Sequence, residues 1–173
     1  MSIHKEIDAR NGRQAVVSPR TGAEWLVGVG FRCWLAGYDT GDIGCWEKGW
    51  NEYNRVLGAS RAKRAVTELA CWVRAVRSSA SRKIQYYPLA RPGFCNDECM
   101  AISLIAASQH HRCPAMQACA LALTGSDLVE PVIDAANAFA DALQEADQRL
   151  SPEAVSALMA ARTGREDGLA GQR

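Results

Sequence analysis

The stretch DIGCWEKGWNEYNRVLG, residues 42–58, has the clearest helical pattern in the chain. Its large apolar side chains recur at intervals of three and four residues, which places them on one face of an α-helix. These apolar residues are Ile43, Trp46, Trp50, Tyr53 and Leu57. Asp42 is suited to cap the N-terminus of this helix, and Gly58 is suited to end it. The stretch therefore predicts an amphipathic helix over residues 43–57.

The helical spacing continues on both sides of this stretch. Over residues 24–38, Trp25, Val29 and Cys33 recur at every fourth position, and a third helix begins at Ser60 and extends to about Arg77. The first of these segments also contains three glycines, Gly28, Gly30 and Gly37. Each glycine costs a helix about 1 kcal/mol relative to alanine, which the close approach of another backbone would offset.

A break follows in the segment KIQYYPLARPGF, residues 83–94, which contains two prolines and one glycine. This composition ends a helix and predicts an extended connector near residues 84–94. Beyond it, helical patterns run from residue 96 or 97 to the polar QHHR, from Pro114 to Gly125, and over residues 129–150. A short helix is predicted to begin at Ser151.

The whole pattern predicts an all-α protein, a compact bundle of about six helices, because no run of residues alternates as a strand requires. The 173 residues fit one domain, which we place at residues 21–162. It divides into a basic half, 21–83, the connector, 84–94, and an acidic half, 95–162. Residues 1–20 are predicted to be a flexible arm, and residues 163–173 a flexible tail.

Charge is distributed unevenly along the chain. Residues 1–94 contain 15 Lys and Arg against 8 Asp and Glu, whereas residues 95–173 contain 5 against 11. Two interpretations are open: a basic face that binds nucleic acid, or two halves that attract each other when they pack.

The basic residues are concentrated between Arg55 and Lys83, a segment with a single acidic residue, Glu68. Lys and Arg at this density can neutralise phosphates, and Trp72, Tyr86 and Tyr87 are candidates to stack on bases. The equally weighted alternative is that the charges solvate one helix face or pair with the acidic second half. The candidate nucleic-acid-binding residues are Arg61, Lys63, Arg64, Arg74, Arg77, Arg82 and Lys83.

Four cysteines in the second half, Cys95, Cys99, Cys113 and Cys119, are candidate ligands for zinc or an iron–sulfur cluster. An intact helix of about 20 Å would separate Cys99 from Cys113. The less strained site combines Cys95, Cys99 and Cys119, with Cys113 or a histidine as fourth ligand. The favoured alternative is that these thiols are core or cap residues. His110 and His111, beside Arg112, are interpreted as a solvated turn rather than a base or phosphate ligand.

Other motifs give little sign of catalysis or of a membrane. The sequence has no GxSxG, Walker, GxGxxG or HExxH motif, which favours a non-enzymatic protein. No apolar stretch approaches the roughly 20 residues that cross a bilayer, and MSIHKEIDAR is too charged for a signal peptide. We therefore expect a cytoplasmic protein that does not contact a membrane.

Two segments, GFRCWLAG at residues 30–37 and CWEKGWNEY at residues 45–53, resemble the helical hairpin of the ribosome modulation factor family. The matching positions are Gly30, Phe31, Ala36, Gly37, Cys45, Trp46, Gly49, Trp50 and Glu52. The resemblance implies a regulatory protein that associates with RNA or the ribosome. A protein partner or a second copy of the chain is the other expected partner, and a cytosolic metal or redox protein is the alternative function.

Overall fold

The computed structural model describes residues 22–154, and within this range it contains six α-helices and no strand. The helices are α1 Ala23–Thr40, α2 Ile43–Leu57, α3 Ala59–Ser79, α4 Asn96–Gln109, α5 Cys113–Thr124 and α6 Glu130–Glu145. This confirms the predicted all-α bundle. The predicted arm, 1–20, and tail, 163–173, lie outside the described residues. None of the six helices is long and apolar enough to span a membrane.

Local sequence signals set the turns between the first three helices. Gly41, at φ 71°, ends α1, and its backbone N–H donates to the carbonyl of Gly37. The carboxylate of Asp42 then accepts a hydrogen bond of 2.8 Å from the N–H of Gly44, which caps α2 as predicted. Gly58, at φ 77°, separates α2 from α3. These positive φ values are accessible to glycine because it has no Cβ.

Glycines let α1 and α2 accept aromatic side chains at close range. A Cβ at Gly49 would lie 2.5 Å from Cζ3 of Trp34, and a Cβ at Gly37 would overlap the indole of Trp46. Each helix therefore presents a glycine to a tryptophan of the other. The prediction that another backbone approaches the glycines of α1 is wrong, because the nearest neighbours of Gly28, Gly30 and Gly37 are side chains.

Helix α4 occupies the centre of the bundle. All of its residues from Asp97 to Gln109 are buried except Cys99, and α1, α5 and α6 pack around it. Helix α3 packs against α6 and α2 on the outside. Trp72 joins the layers, with its ring 5.3 Å from that of Phe31 and 5.5 Å from that of Phe139. Both halves of the chain thus contribute to one hydrophobic core.

The segment between α3 and α4 is non-helical, as the prolines predicted, and a buried ion pair holds it in place. Nε of Arg32 lies 2.5 Å from the carboxylate of Glu98, and both side chains are at most 1% exposed. The same guanidinium donates to the carbonyls of Arg91 and Gly93, at 2.8 and 2.6 Å. Glu98 also accepts from the N–H of Cys95. One arginine therefore links α1, the connector and α4.

The predicted helix over residues 129–150 is too long at its C-terminal end, because α6 ends at Glu145. Asp147 adopts a left-handed φ of 60°, and the amide of Gln109 then binds the chain beyond it. Its Nε2 donates to the carbonyl of Gln148, and its Oε1 accepts from the N–H of Leu150 at 2.8 Å. The helix thus ends in a local Schellman motif, in which the N–H of Gln148 donates to the carbonyl of Leu143 at 2.8 Å, and Gln109 holds the residues that follow. Of the short helix expected at Ser151, only residues 153 and 154 are described, and these are helical.

Candidate nucleic-acid interface

All seven candidate nucleic-acid-binding residues lie at exposed positions. Five are on α3, and Arg82 and Lys83 begin the connector. The buried stripe of α3, which includes Leu69 and Val76, faces the core, so the basic side chains occupy the outward side of the helix. The only acid in the segment, Glu68, is half-buried. We call the surface formed by these seven residues the basic face.

The N-terminal end of the basic face is paired with the acidic half of the chain. Nη1 of Arg61 lies 3.0 Å from the carboxylate of Asp147, and Arg64 contacts the carboxylate of Glu145. The uneven charge of the sequence therefore does bring the two halves together at this end, as one of its two interpretations predicted. All four side chains are more than half exposed, and such surface pairs contribute about 1 kcal/mol or less. A phosphate in solution can compete for these arginines.

Arg82 is held much more firmly than the other residues of the basic face. Its two Nη atoms each lie 2.8 Å from an oxygen of Asp97, a bidentate pair whose carboxylate is 6% exposed. They also donate to the carbonyls of Lys83 and Ala122. The hydrogen bonds to Asp97 raise the pKa of Arg82. Only Nε remains for a ligand, so Arg82 mainly positions the start of the connector.

Arg77 is also paired, although less completely. Its Nη2 lies 3.2 Å from Oδ1 of Asp39 at the end of α1, and its guanidinium lies over the ring of Tyr38 at 5.2 Å. The remaining three residues of the basic face, Lys63, Arg74 and Lys83, form no side-chain ion pair within residues 22–154. They are the cations of the basic face with the most donors left for a ligand.

The three aromatic residues considered for base stacking differ in accessibility. Trp72 is fully buried between Phe31 and Phe139, so the prediction that it stacks on a base is wrong. Tyr87 packs its ring against the guanidinium of Arg91, 3.9 Å away. Tyr86 is half-buried beside Asp39, and its pKa is raised by burial and then by that negative charge.

A pocket of about 140 Å³ opens where α1 and α3 end and the connector begins. Its lining residues are Leu35, Asp39, Arg77, Ala80, Arg82, Lys83 and Ile84. Three of the seven candidate residues thus converge on one site. Asp39 was not predicted in this role, because its position next to α3 depends on how the helices pack.

The four candidate metal-ligating cysteines occupy separate environments. Cys95 is the N-cap of α4, and Cys99 lies in the first turn of that helix. Cys113 is exposed at the start of α5, whereas Cys119 is buried in the same helix. Across residues 22–154, no three His, Cys, Asp or Glu side chains form a group that could hold a metal ion. Burial raises the pKa of Cys99 to about 11, which favours the thiol over the thiolate that metals bind.

His110 and His111 form the turn between α4 and α5, in agreement with the favoured interpretation. His111 adopts a φ of 51°, and Nε2 of His110 lies 2.9 Å from the carbonyl of Leu150. The contact of His110 with Leu150 joins the turn to the segment that follows α6.

No protein-family model matches the chain, and neither a curated protein nor a solved structure does so.

Proposed function

We propose that this protein is a non-enzymatic regulatory protein that binds RNA through the basic face. One observation carries the proposal: all seven basic side chains are exposed, on a single helix and the residues that follow it. Joining the two halves does not account for all of these charges, because Lys63, Arg74 and Lys83 form no ion pair within residues 22–154. Exposed Lys and Arg side chains can instead exchange their counterions and surface partners for phosphates.

The positions of Lys63 and Arg74 suit an extended, charged ligand. They are eleven residues apart, close to three helical turns, so they lie on the same side of α3 about 16 Å from each other. A nucleic-acid backbone that follows the helix axis can contact both residues. Arg77 and Lys83 continue the positive charge beyond the end of this row.

The hairpin of α1 and α2 indicates which nucleic acid to test. Gly37 and Trp46, which contact each other, are positions that resemble the ribosome modulation factor family, and so is Gly49, which contacts Trp34. Proteins of that kind act on the ribosome without catalysis. We therefore expect RNA, alone or within a ribosome, to be the preferred partner over DNA.

The test is a binding titration with labelled RNA and DNA at low and moderate salt. We expect RNA binding that weakens with salt, as counterion release requires. In the variant Lys63→Gln/Arg74→Gln, affinity should fall on the order of 20-fold at about 0.1 M salt, since two phosphate contacts are lost. The slope of log affinity against log salt should decrease by about 1.4.

The matched control is Lys48→Gln/Arg149→Gln. It also removes one lysine and one arginine from exposed positions, but these lie on α2 and after α6, outside the basic face. This control should bind RNA nearly as the wild type does. Binding that is absent, that ignores salt, or that both variants weaken equally would refute the proposal.

A further inference from the structure

The pocket at the end of α3 has a charge pattern that suits a single anionic group. Arg77, Arg82 and Lys83 contribute three positive charges to its lining, against the one negative charge of Asp39. Asp97 neutralises Arg82 from outside the pocket. The cations that remain to bind a ligand are therefore Arg77 and Lys83. They approach from two different elements, α3 and the connector, so an anion between them is bound from two sides.

One of the two cations is positioned before any ligand arrives. The guanidinium of Arg77 lies over the ring of Tyr38, 5.2 Å from its centroid, whereas Lys83 forms no ion pair within residues 22–154. Ordering a long side chain in advance reduces the entropy lost on binding. The pocket thus combines one ordered cation with a second cation whose donors are available to a ligand.

The size of the pocket limits what it can hold. Pockets that enclose whole cofactors or drug-sized ligands measure roughly 300–1,000 Å³. At about 140 Å³, this one accommodates a phosphate group but not a complete nucleotide. The rest of the ligand must lie outside, along the neighbouring surface of α3, where Arg74 is exposed one turn before Arg77.

Tyr86 offers a surface for a base next to this phosphate. It is half-buried, and its side chain lies close enough to Asp39, which lines the pocket, to interact with that carboxylate. Aromatic rings of this kind stack on bases that are splayed out of a single strand. In a duplex the bases stack on each other and are directed inward, so a phosphate in the pocket would leave Tyr86 without a base.

From these observations we infer that the pocket binds one backbone phosphate of single-stranded RNA, with the adjacent base stacked on Tyr86. The inference rests on the proposed function and specifies its ligand. Asp39 has a defined effect in this arrangement: its carboxylate occupies one donor of Arg77 and repels the phosphate, which limits the affinity of the site.

The experiment measures fluorescence anisotropy of a labelled RNA strand of about 12 nucleotides, alone and annealed to its complement. We expect the single strand to bind at least tenfold more tightly. Lys83→Gln should weaken this binding about fivefold at about 0.1 M salt, because one phosphate contact is lost. Asp39→Asn should strengthen it by a similar factor. Its matched control is Asp134→Asn, an exposed aspartate on α6 that should leave affinity unchanged.

Two variants of Tyr86 distinguish the loss of base stacking from a structural effect of the substitution. Tyr86→Ala should weaken single-strand binding at least fivefold, whereas Tyr86→Phe, which keeps the ring, should bind as the wild type does. Circular dichroism of each variant verifies that it is folded.

Equal or tighter binding of the duplex, or weaker binding by Asp39→Asn, would overturn this inference while leaving the basic face as an RNA site. A loss in Tyr86→Phe as large as in Tyr86→Ala would also overturn it. The absence of any RNA binding would refute both proposals.

Discussion

Arg32 is one of three charged residues that are buried within residues 22–154. It is 1% exposed, yet its guanidinium is satisfied by the carboxylate of Glu98 and by two connector carbonyls. A buried charge is tolerated only when its partners replace the water that it has lost. The resemblance to a known hairpin includes neighbouring positions of α1, but nothing local to Arg32 indicated that its partner lies 66 residues away.

Replacement of this arginine should destabilise the fold strongly. In Arg32→Met the apolar length is kept, but Glu98 remains fully buried without its cationic partner. Breaking a buried pair in this way costs about 3–5 kcal/mol. The free energy of unfolding, measured in urea, gives the value directly. The control is Arg55→Met, whose partner Glu52 is on the same exposed helix surface, and whose stability should be nearly unchanged. Similar stabilities of the two variants would show that the pair does not hold the connector.

At the scale of the helix, α1 combines a poor intrinsic propensity with close packing. Gly30 is the clearest case, because a Cβ there would lie 2.5 Å from Oη of Tyr53 and 2.8 Å from Cδ2 of Leu69. Both neighbours are fully buried, and the hydroxyl of Tyr53 donates to the carbonyl of Leu26 at 3.0 Å. Neither neighbour can move without breaking contacts of its own.

In the substitution Gly30→Ala, a gain in helix propensity therefore opposes the cost of overpacking the core. Propensity alone would stabilise the helix by about 1 kcal/mol, whereas overpacking of the core costs about 1–3 kcal/mol or more. We expect net destabilisation, measured as a lower urea midpoint with an unchanged slope. Gly44→Ala in α2 is the control, because its nearest neighbour, 3.1 Å away, is the exposed carboxylate of Asp42. If Gly30→Ala is stabilised, the close contact with Tyr53 is not maintained in solution.

Elements whose limits are set locally were predictable from the sequence. The cap at Asp42, the stop at Gly58 and the proline-containing connector all depend on neighbouring residues, and all three are confirmed. The end of α6 was missed because Asp147, which is not a glycine, adopts the left-handed conformation that closes the helix, and Gln109 of α4 holds residues 148 and 150 beyond it.

The candidate site, too, was predictable from the sequence only in part. Exposure of the seven basic residues follows from the helical period of α3, so the basic face could be predicted. Their partners could not, because Asp39, Asp97 and Asp147 approach only when the helices pack. Trp72 was wrongly expected to be accessible because it is close to the basic residues in sequence, whereas its position on α3 places it on the buried stripe.

The uneven charge of the sequence has a physical role in the whole molecule. Within residues 22–154, four ion pairs connect the basic half to the acidic half: Arg32 to Glu98, Arg61 to Asp147, Arg64 to Glu145 and Arg82 to Asp97. Only the pair of Arg32 and Glu98 has both side chains buried, and the pairs of Arg61 and Arg64 are open to solvent. The halves are therefore joined mainly by apolar contacts, with Arg32 and Glu98 fixing their relative position.

Because the halves share one core, neither is expected to unfold without the other. Trp72 of α3 stacks on Phe139 of α6, and α1 packs against the central α4, so separating the halves would expose both surfaces. All five tryptophans lie between residues 25 and 72, which makes fluorescence a probe of the basic half, whereas circular dichroism reports on all six helices. Urea unfolding followed by the two signals should give coincident midpoints.

Salt provides the internal control for this experiment. About 0.5 M NaCl screens exposed pairs such as Arg61 with Asp147, but not the buried pair of Arg32 with Glu98. Both midpoints should therefore move together and only slightly. A fluorescence midpoint clearly separated from the dichroism midpoint, at either salt concentration, would mean that the basic half is an independent folding unit and that the shared core contributes little to its stability.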